Sequence, residues 1–383
     1  MNRAAMLSFA CGFASLSVEI LWVRFYGFAK LSTPAAFGFV LAAYLVGIGI
    51  GARLGASACR QGRSDAWLWG ASIVALLVSA VLTVALPLAY GALVLRAVEN
   101  PLLDVLLIAL ASAVLSFVFP IAHHLGTKHF AENLGRRFAT VYVSNVLGAA
   151  LGPLVTGYIL LDQMTLQASF LVLAALQAMA ALFLLVLIPL PAGRALLRAG
   201  AVAVVIATAA LGALLPAHWL LQGFTHDERP PKTVVENRQG IVTIFEGRGG
   251  DDVVYGGNVY DGRTNLDGQR NSNGLERPLL TLALQPQPRR VLMVGLSIGT
   301  WLALVREFPG VESIDVVEIN PGYIEAAQAY GPQARALLDP RVNLVIDDAR
   351  RWLRHHPERR YDLIIMNTTW HWRSNTTLLV SCS

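Results

Sequence analysis

Six residues of the C-terminal half have the types and spacing to bind a nucleotide. Gly295 and Gly299 lie in a short turn, VGLSIG, that follows the apolar run Val291–Val294. Glu318 closes a second apolar run, Ile314–Val317, and stands 19 residues after Gly299. Asp347 and Asp348 close a third run, Val342–Ile346, and Asn367 closes a fourth, Leu363–Met366. Glycines in such a turn let the backbone bend tightly and let a ligand approach the start of the next helical run, Thr300–Phe308. An acid at the end of the second strand is placed to accept hydrogen bonds from a ribose hydroxyl pair. The turn is not the full G-x-G-x-x-G. It is the convergence of the strand-end residues, more than any one motif, that points to a nucleotide site.

The elements that must position these residues alternate. Strand, helix, strand recurs from Val291 onward, with helical runs at Pro321–Tyr330 and Ala349–His355. This order predicts a parallel, doubly wound, Rossmann-like α/β sheet, in which ligands bind at the carboxyl ends of the strands. Upstream, VVENRQGIVTIFEG and VVYGGNVYDGRTNLDG read as a small antiparallel β region. A helix over Leu275–Leu284, ended by Pro286 and Pro288, separates it from the main fold. Four strands leave a sheet edge and one face uncovered. The domain is therefore expected to be partial, C-terminally truncated, and unstable when isolated.

The N-terminal half is of another kind. The 383-residue chain is 55% hydrophobic and 14% charged, against about 25% charged in soluble domains, and the deficit falls on residues 1–221. Runs long enough to span a bilayer lie at roughly 4–26, 34–56, 66–90, 101–123, 138–161, 164–190 and 195–220. We therefore expect a multi-span α-helical membrane bundle of about seven spans over 1–221, a polar linker over 222–233, and the nucleotide-binding domain over 234–383. The lipid bilayer is the implied partner, and a multi-pass integral membrane protein is expected. Gly51-x-x-x-Gly55 and Gly148-x-x-x-Gly152 allow close helix approach. Ionisable residues inside spans, Glu19, Arg24, Asp104, His123 and His124, are the candidates for function there. The first apolar run lacks a small-residue cleavage site, so it is read as a span rather than a removable signal.

Lys and Arg are biased to one side. Arg3, Arg53, Arg60, Arg63, Lys128, Arg136, Arg137, Arg194 and Arg198 oppose only Arg24, Lys30 and Arg96, which makes the first side cytoplasmic. Seven spans then put the C-terminal domain on the other side. Either one span fewer exists or the ligand is not a cytoplasmic nucleotide. The net charge of +5 reflects these loops, and no basic patch interleaved with aromatics points to nucleic acid. Cys11, Cys59 and Cys382 have neither metal-ligand spacing nor the pattern of a disulfide framework. Oligomeric state is not read from the sequence.

The motifs YDGRTN, LERP, VLMVGLSIGT, VVEIN, DPRVNLVIDDARRWL and YDLIIMN, in that order, carry a likeness. From about Val234 to Ser381 the chain resembles the spermidine synthase (polyamine aminopropyltransferase) family. The segments LSVEILWVRF and YVSNVLGAALGPLVTGYIL look like the membrane part of bacterial proteins in which such a domain is fused to a multi-span bundle. The resemblance implies no permanently bound cofactor. It implies decarboxylated S-adenosylmethionine, or a related adenosine-type small molecule, as co-substrate, with an aminopropyl group passing to a diamine. By the same resemblance Glu318 would hold the ribose hydroxyls and Asp348 would meet the adenine. Gly295 and Gly299 would form the loop beneath the donor, and Asn265 stands where the family has a Gln near it. Glu276 matches the Glu of the family's Tyr-His-Glu, with Gly274 and Leu275 in place of the Tyr and His.

Two departures bear on the chemistry. Ile298 occupies the place of the family's donor-binding Asp, and Asn367 the place of its catalytic Asp. An amine must lose a proton before or as it attacks, which needs a base, and an amide does not supply one. His371, a titratable imidazole near the strand ends, is the candidate substitute, set against a plain loop histidine between Trp370 and Trp372. Four readings follow: an aminopropyltransferase-like enzyme, a catalytically degenerate adenosine-ligand sensor on a membrane bundle, a transporter with an accessory domain, and an S-adenosylmethionine-dependent methyltransferase.

Overall fold

The computed structural model describes residues 3–95, 100–128, 133–188, 194–225 and 229–367. His371 and the segment 368–373 lie outside the described residues. The chain divides into two compact units, one of Met1–Gly27 with Ala35–Phe224 and one of Phe28–Pro34 with Thr225–Ser383.

The first unit is helical. Its long helices are α1 (Arg3–Ala29), α2 (Pro34–Arg60), α3 (Asp65–Leu95), α4 (Pro101–Thr127), α5 (Leu134–Val155), α6 (Leu166–Leu187) and α7 (Arg194–Leu214), followed by the short α8 (Trp219–Gln222). Helix α5 runs on through a π-helical turn, Thr156–Leu160, and a last turn, Leu161–Gln163. Among the described residues seven helices are long and apolar enough to cross a membrane. Their ends differ from the hydropathy reading by a few residues. The last ends at Leu214, short of 220, because Pro216 disfavours helix just before it.

Small residues set how closely these helices approach. A Cβ on Gly47, Gly51 or Gly55 of α2 would lie 2.0–2.1 Å from atoms of α4, among them the carbonyls of Ala113 and Phe117. One on Gly148 or Gly152 of α5 would lie 2.2 and 2.4 Å from the carbonyls of Phe9 and Phe13 on α1. Of the acids named from the sequence, Asp104 is buried and its carboxylate accepts a hydrogen bond from the Tyr26 hydroxyl at 3.0 Å. Glu19 is half-buried. Trp22, Phe25, Tyr90 and Phe224 pack edge-to-face and stacked, forming an aromatic cluster with centroids 5.2–6.4 Å apart.

The second unit carries two sheets. The first is antiparallel, in the order β1 (Thr233–Asn237), β2 (Gly240–Phe245), β3 (Val253–Gly256), β4 (Val259–Arg263). The helix α9 (Glu276–Leu284) leads to the parallel sheet of β5 (Arg290–Val294), β6 (Ser313–Glu318), β7 (Val342–Ile346) and β8 (Leu363–Met366). The crossovers are α10 (Thr300–Val305), then α11 (Pro321–Ala327) with α12 (Gly331–Leu337), then α13 (Ala349–His355). Strand order is β7-β6-β5-β8. The chain winds outward from β5 to β7 and then returns to the far side of β5, so the topological switch point lies between β5 and β8.

Burial explains the strand sequences. Val291, Leu292, Met293 and Val294 of β5 are each 5% exposed or less, since helices cover both faces of a central parallel strand. Alternate residues feed two cores. Val291 and Met293 pack with Leu302, Ile314 and Val316, while Leu292 and Val294 pack with Val317, Ala349 and Trp352. The edge strands are more open, with Ile346 at 56% and Ile364 at 55%. Helix α10 stops at Val305 because i to i+3 bonds from Glu307 and Phe308 tighten its end and Gly310 (φ 80°) turns the chain away.

Candidate functional site

The crevice at the switch point is lined by the turn after β5 and the end of β8. Gly295 has φ 90°, and a Cβ there would sit 2.5 Å from the Asn367 carbonyl oxygen. Both facts require glycine. The Gly295 N–H donates to the Val317 carbonyl at 2.9 Å, and the Asn367 N–H donates to the Val294 carbonyl at 2.8 Å. Gly299 (φ 82°) begins α10 with its carbonyl already accepting from Ala303.

Glu318 ends β6 and is 4% exposed. Its two oxygens accept from the Leu296 N–H at 2.7 Å and the Asn320 N–H at 2.8 Å. Its carboxyl is raised to about 7 in all: burial pushes it up, the backbone donors Leu296 and Asn320 oppose this, and the nearby Asp261 carboxylate adds to the rise. Each carboxylate oxygen has lone-pair capacity beyond one donor, so the group can still accept from ligand hydroxyls.

Asp347 and Asp348 follow β7. The Asp347 N–H donates to the Glu318 carbonyl at 3.1 Å, which ties the two strand ends together. The Asp347 carboxylate accepts from Arg351 Nε and from the Asp348 N–H, each at 2.6 Å. Asp348 caps α13, accepting from the Arg350 and Arg351 N–H groups and from the Arg350 guanidinium at 2.9 Å. The hydrogen bond from Arg350 holds its carboxyl at about 2, aided by the backbone donors. Asn265 lies in the loop after β4. Its side chain bonds Ser272 Oγ at 3.0 Å and accepts from the Asp267 N–H at 2.8 Å, which shapes that loop. Glu276, at the start of α9, accepts from the Asn271 side chain.

Ile298 does not face the crevice as a loop side chain would. It is 1% exposed and packs with Val235, Val242, Ile244, Val254 and Tyr323. An apolar residue at this position thus serves the contact between the antiparallel sheet and α11.

The structure adds residues that the sequence reading did not single out. Ser297 (φ 51°) donates its hydroxyl to the Asp261 carbonyl at 2.6 Å, and Thr300 donates to the Arg263 carbonyl at 2.7 Å. Gln333 of α12 donates to the Thr264 carbonyl at 2.9 Å. The glycine turn is therefore fastened to the YDGRT strand. Tyr323 donates its hydroxyl to Asp261, and Asn237 donates to Asn320 Oδ1 at 2.8 Å, beside Glu318. The signal for these was the acid of the YDG motif, read as strand sequence alone. Among the described residues no group of three or more His, Cys, Asp or Glu side chains is placed to hold a metal ion.

A small antiparallel sheet followed by a parallel α/β sheet, with a glycine turn, a buried acid and paired strand-end carboxyl groups, defines a Rossmann-like domain. Comparison with known proteins sharpens that class. Residues 279–372 match the family described as spermine/spermidine synthase domain. A polyamine aminopropyltransferase of Alkalilimnicola ehrlichii is 36% identical over 89 residues, covering 23% of this chain and 31% of that protein. Putrescine N-methyltransferase 2 of Nicotiana attenuata is 33% identical over 91 residues, 24% of each chain. A crystal structure of spermidine synthase in complex with the transition state analogue AdoDATO aligns with TM-score 0.34 and 23% identity, over 39% of this chain and 50% of the other. The chain spans between 24% and 31% of the length of these curated relatives. Residues 279–372 are thus similar to the spermine/spermidine synthase domain.

Proposed function

We propose that the chain is a membrane-bound, spermidine synthase-like transferase. Its C-terminal domain takes an adenosine-type co-substrate, decarboxylated S-adenosylmethionine or a relative of it, and passes a carbon group to an amine acceptor. The observation that carries this reading is Glu318, a buried carboxylate bonded to the turn after β5 at the carboxyl edge of the sheet, where a ribose hydroxyl pair would meet it. Transfer forms a nitrogen–carbon bond and breaks the carbon–sulfur bond of the sulfonium, whose electron pair stays on sulfur as a thioether. The amine gives up one proton. Asn367 cannot accept it, so the domain contributes positioning and the proton leaves to water or to another group. With Ile298 in the apolar core and an amide at Asn367, attraction for a doubly charged diamine is weakened, and slow turnover of putrescine is expected.

Methyl transfer is the second reading. The likeness to a putrescine N-methyltransferase, close in identity to that with an aminopropyltransferase, favours it. Titration of the full-length protein in detergent with 5′-methylthioadenosine, S-adenosylmethionine and its decarboxylated form separates the readings. Preference for the decarboxylated donor with aminopropylated product supports the first, and preference for S-adenosylmethionine with methylated product the second. Absence of binding by all three would remove both.

A further inference from the structure

Three buried hydroxyls on α1 and α5, those of Ser8, Ser17 and Thr156, are left unused by the helices themselves, and the last two lie where the α5 ladder is irregular. Ser17 and Thr156 are each 0% exposed, and neither Ser17 Oγ nor Thr156 Oγ1 has a hydrogen-bond partner. Hydroxyls inside helices ordinarily bond back to the carbonyl four residues earlier. Ser72, Thr83, Thr140 and Ser144 of this bundle do so at 2.8 Å. Ser17 and Thr156 depart from that habit, in an apolar setting where a lost partner is costly.

The two residues face each other by register. Gly148 approaches the Phe9 carbonyl and Gly152 the Phe13 carbonyl. The same four-residue step places Thr156 opposite Ser17. A Cβ on Gly152 would lie 2.9 Å from Ser17 Oγ, so the Ser17 hydroxyl points toward α5. The hydrogen-bond ladder of α5 is irregular at this level. Pro153 has no N–H to give the Ala149 carbonyl, and the π-helical turn begins at Thr156, whose carbonyl accepts from Leu161 in place of the residue four ahead. Such turns shift carbonyls out of the regular ladder and recur at functional sites. Two hydroxyls and the backbone carbonyls of the irregular turn offer a set of oxygen donors, which suits a hard monovalent cation, and helices with interrupted ladders hold Na⁺ in this way.

We propose that Ser17 and Thr156, with carbonyls of the π-helical turn of α5, form a Na⁺ site inside the helical bundle. The proposal is independent of the transferase reading of the other unit. It is tested on full-length protein in detergent by thermal unfolding in NaCl against choline chloride at equal ionic strength, together with equilibrium binding of radioactive sodium. The expected result is saturable sodium binding and a midpoint raised by about 3 °C or more in Na⁺. Ser17→Ala and Thr156→Val should each lose the shift and weaken binding at least about tenfold, while Thr156→Ser, which keeps the hydroxyl, retains both. Equal midpoints in the two salts with no saturable binding to the wild type would overturn the proposal, as would a shift that survives in both hydroxyl-free variants. Should either variant fail to fold, wild-type and Thr156→Ser sodium binding still decides the matter.

Discussion

Ile298 shows how one residue can mean different things in a motif and in a fold. Its place in the glycine turn suggests a lost donor-binding acid, yet its side chain is buried among Val235, Val242, Ile244, Val254 and Tyr323. Ile298→Asp should therefore not restore ligand binding. It should bury an unpaired carboxyl and cost about 3–5 kcal/mol of domain stability, read by denaturant unfolding; a variant that is equally stable and binds more tightly would contradict this packing. Glu318 gives a pH prediction. Its folded-state pKa is raised to about 7, so below that pH the carboxyl is protonated and accepts hydroxyl donors poorly. Affinity for 5′-methylthioadenosine should fall about tenfold per pH unit below about 7 and level off above it. Glu318→Gln should be flat over the same range. In the free protein the sign is opposite: a raised carboxyl makes stability decline as pH rises from about 4.3 to about 7.

At the scale of elements, the strands and the small-residue helix contacts were legible because each has a strong local pattern. The runs at Val291, Ile314, Val342 and Leu363 became β5 to β8, and the Gly51 and Gly148 motifs became close contacts with carbonyls of α4 and α1. What was not legible is set by packing or by Pro. Helix α12 is not among the helical runs read from the sequence, and Pro332 stands in its first turn, where the missing N–H costs nothing. The fastening of the glycine turn by Ser297, Thr300 and Gln333 joins residues far apart in the chain, which no window reveals. Gly148→Val should separate α1 from α5 and lower the unfolding midpoint of the full-length protein, and an unchanged midpoint would refute that contact. Asp315 of β6 tests the sheet in the same way. It is buried and accepts from Asn343, Arg359 and Tyr361 at 2.6–2.7 Å. Asp315→Ala should cost about 1–3 kcal/mol in denaturant unfolding without touching the crevice, leaving ligand affinity per folded molecule unchanged.

For the whole molecule, the number of crossings would decide which side of a membrane the C-terminal domain occupies. Among the described residues seven helices are long and apolar enough to span a membrane, and crossing by all seven would put the two ends of the chain on opposite sides. With Arg3 and the arginine-rich loops cytoplasmic, a reporter fused after Ser383 should be active only outside the cytoplasm. A cytoplasmic reporter signal would mean that one of the seven does not cross. That outcome would also return the ligand to the nucleotide pool expected of a cytoplasmic transferase. The central claim, an adenosine-type site built on Glu318, is met most directly by calorimetric titration of 5′-methylthioadenosine into full-length wild-type protein and Glu318→Ala at about pH 8, above the raised carboxyl value. The account predicts saturable binding to the wild type and a loss of about tenfold or more in the variant. Equal affinity in the two proteins, or no binding to the wild type, would contradict it.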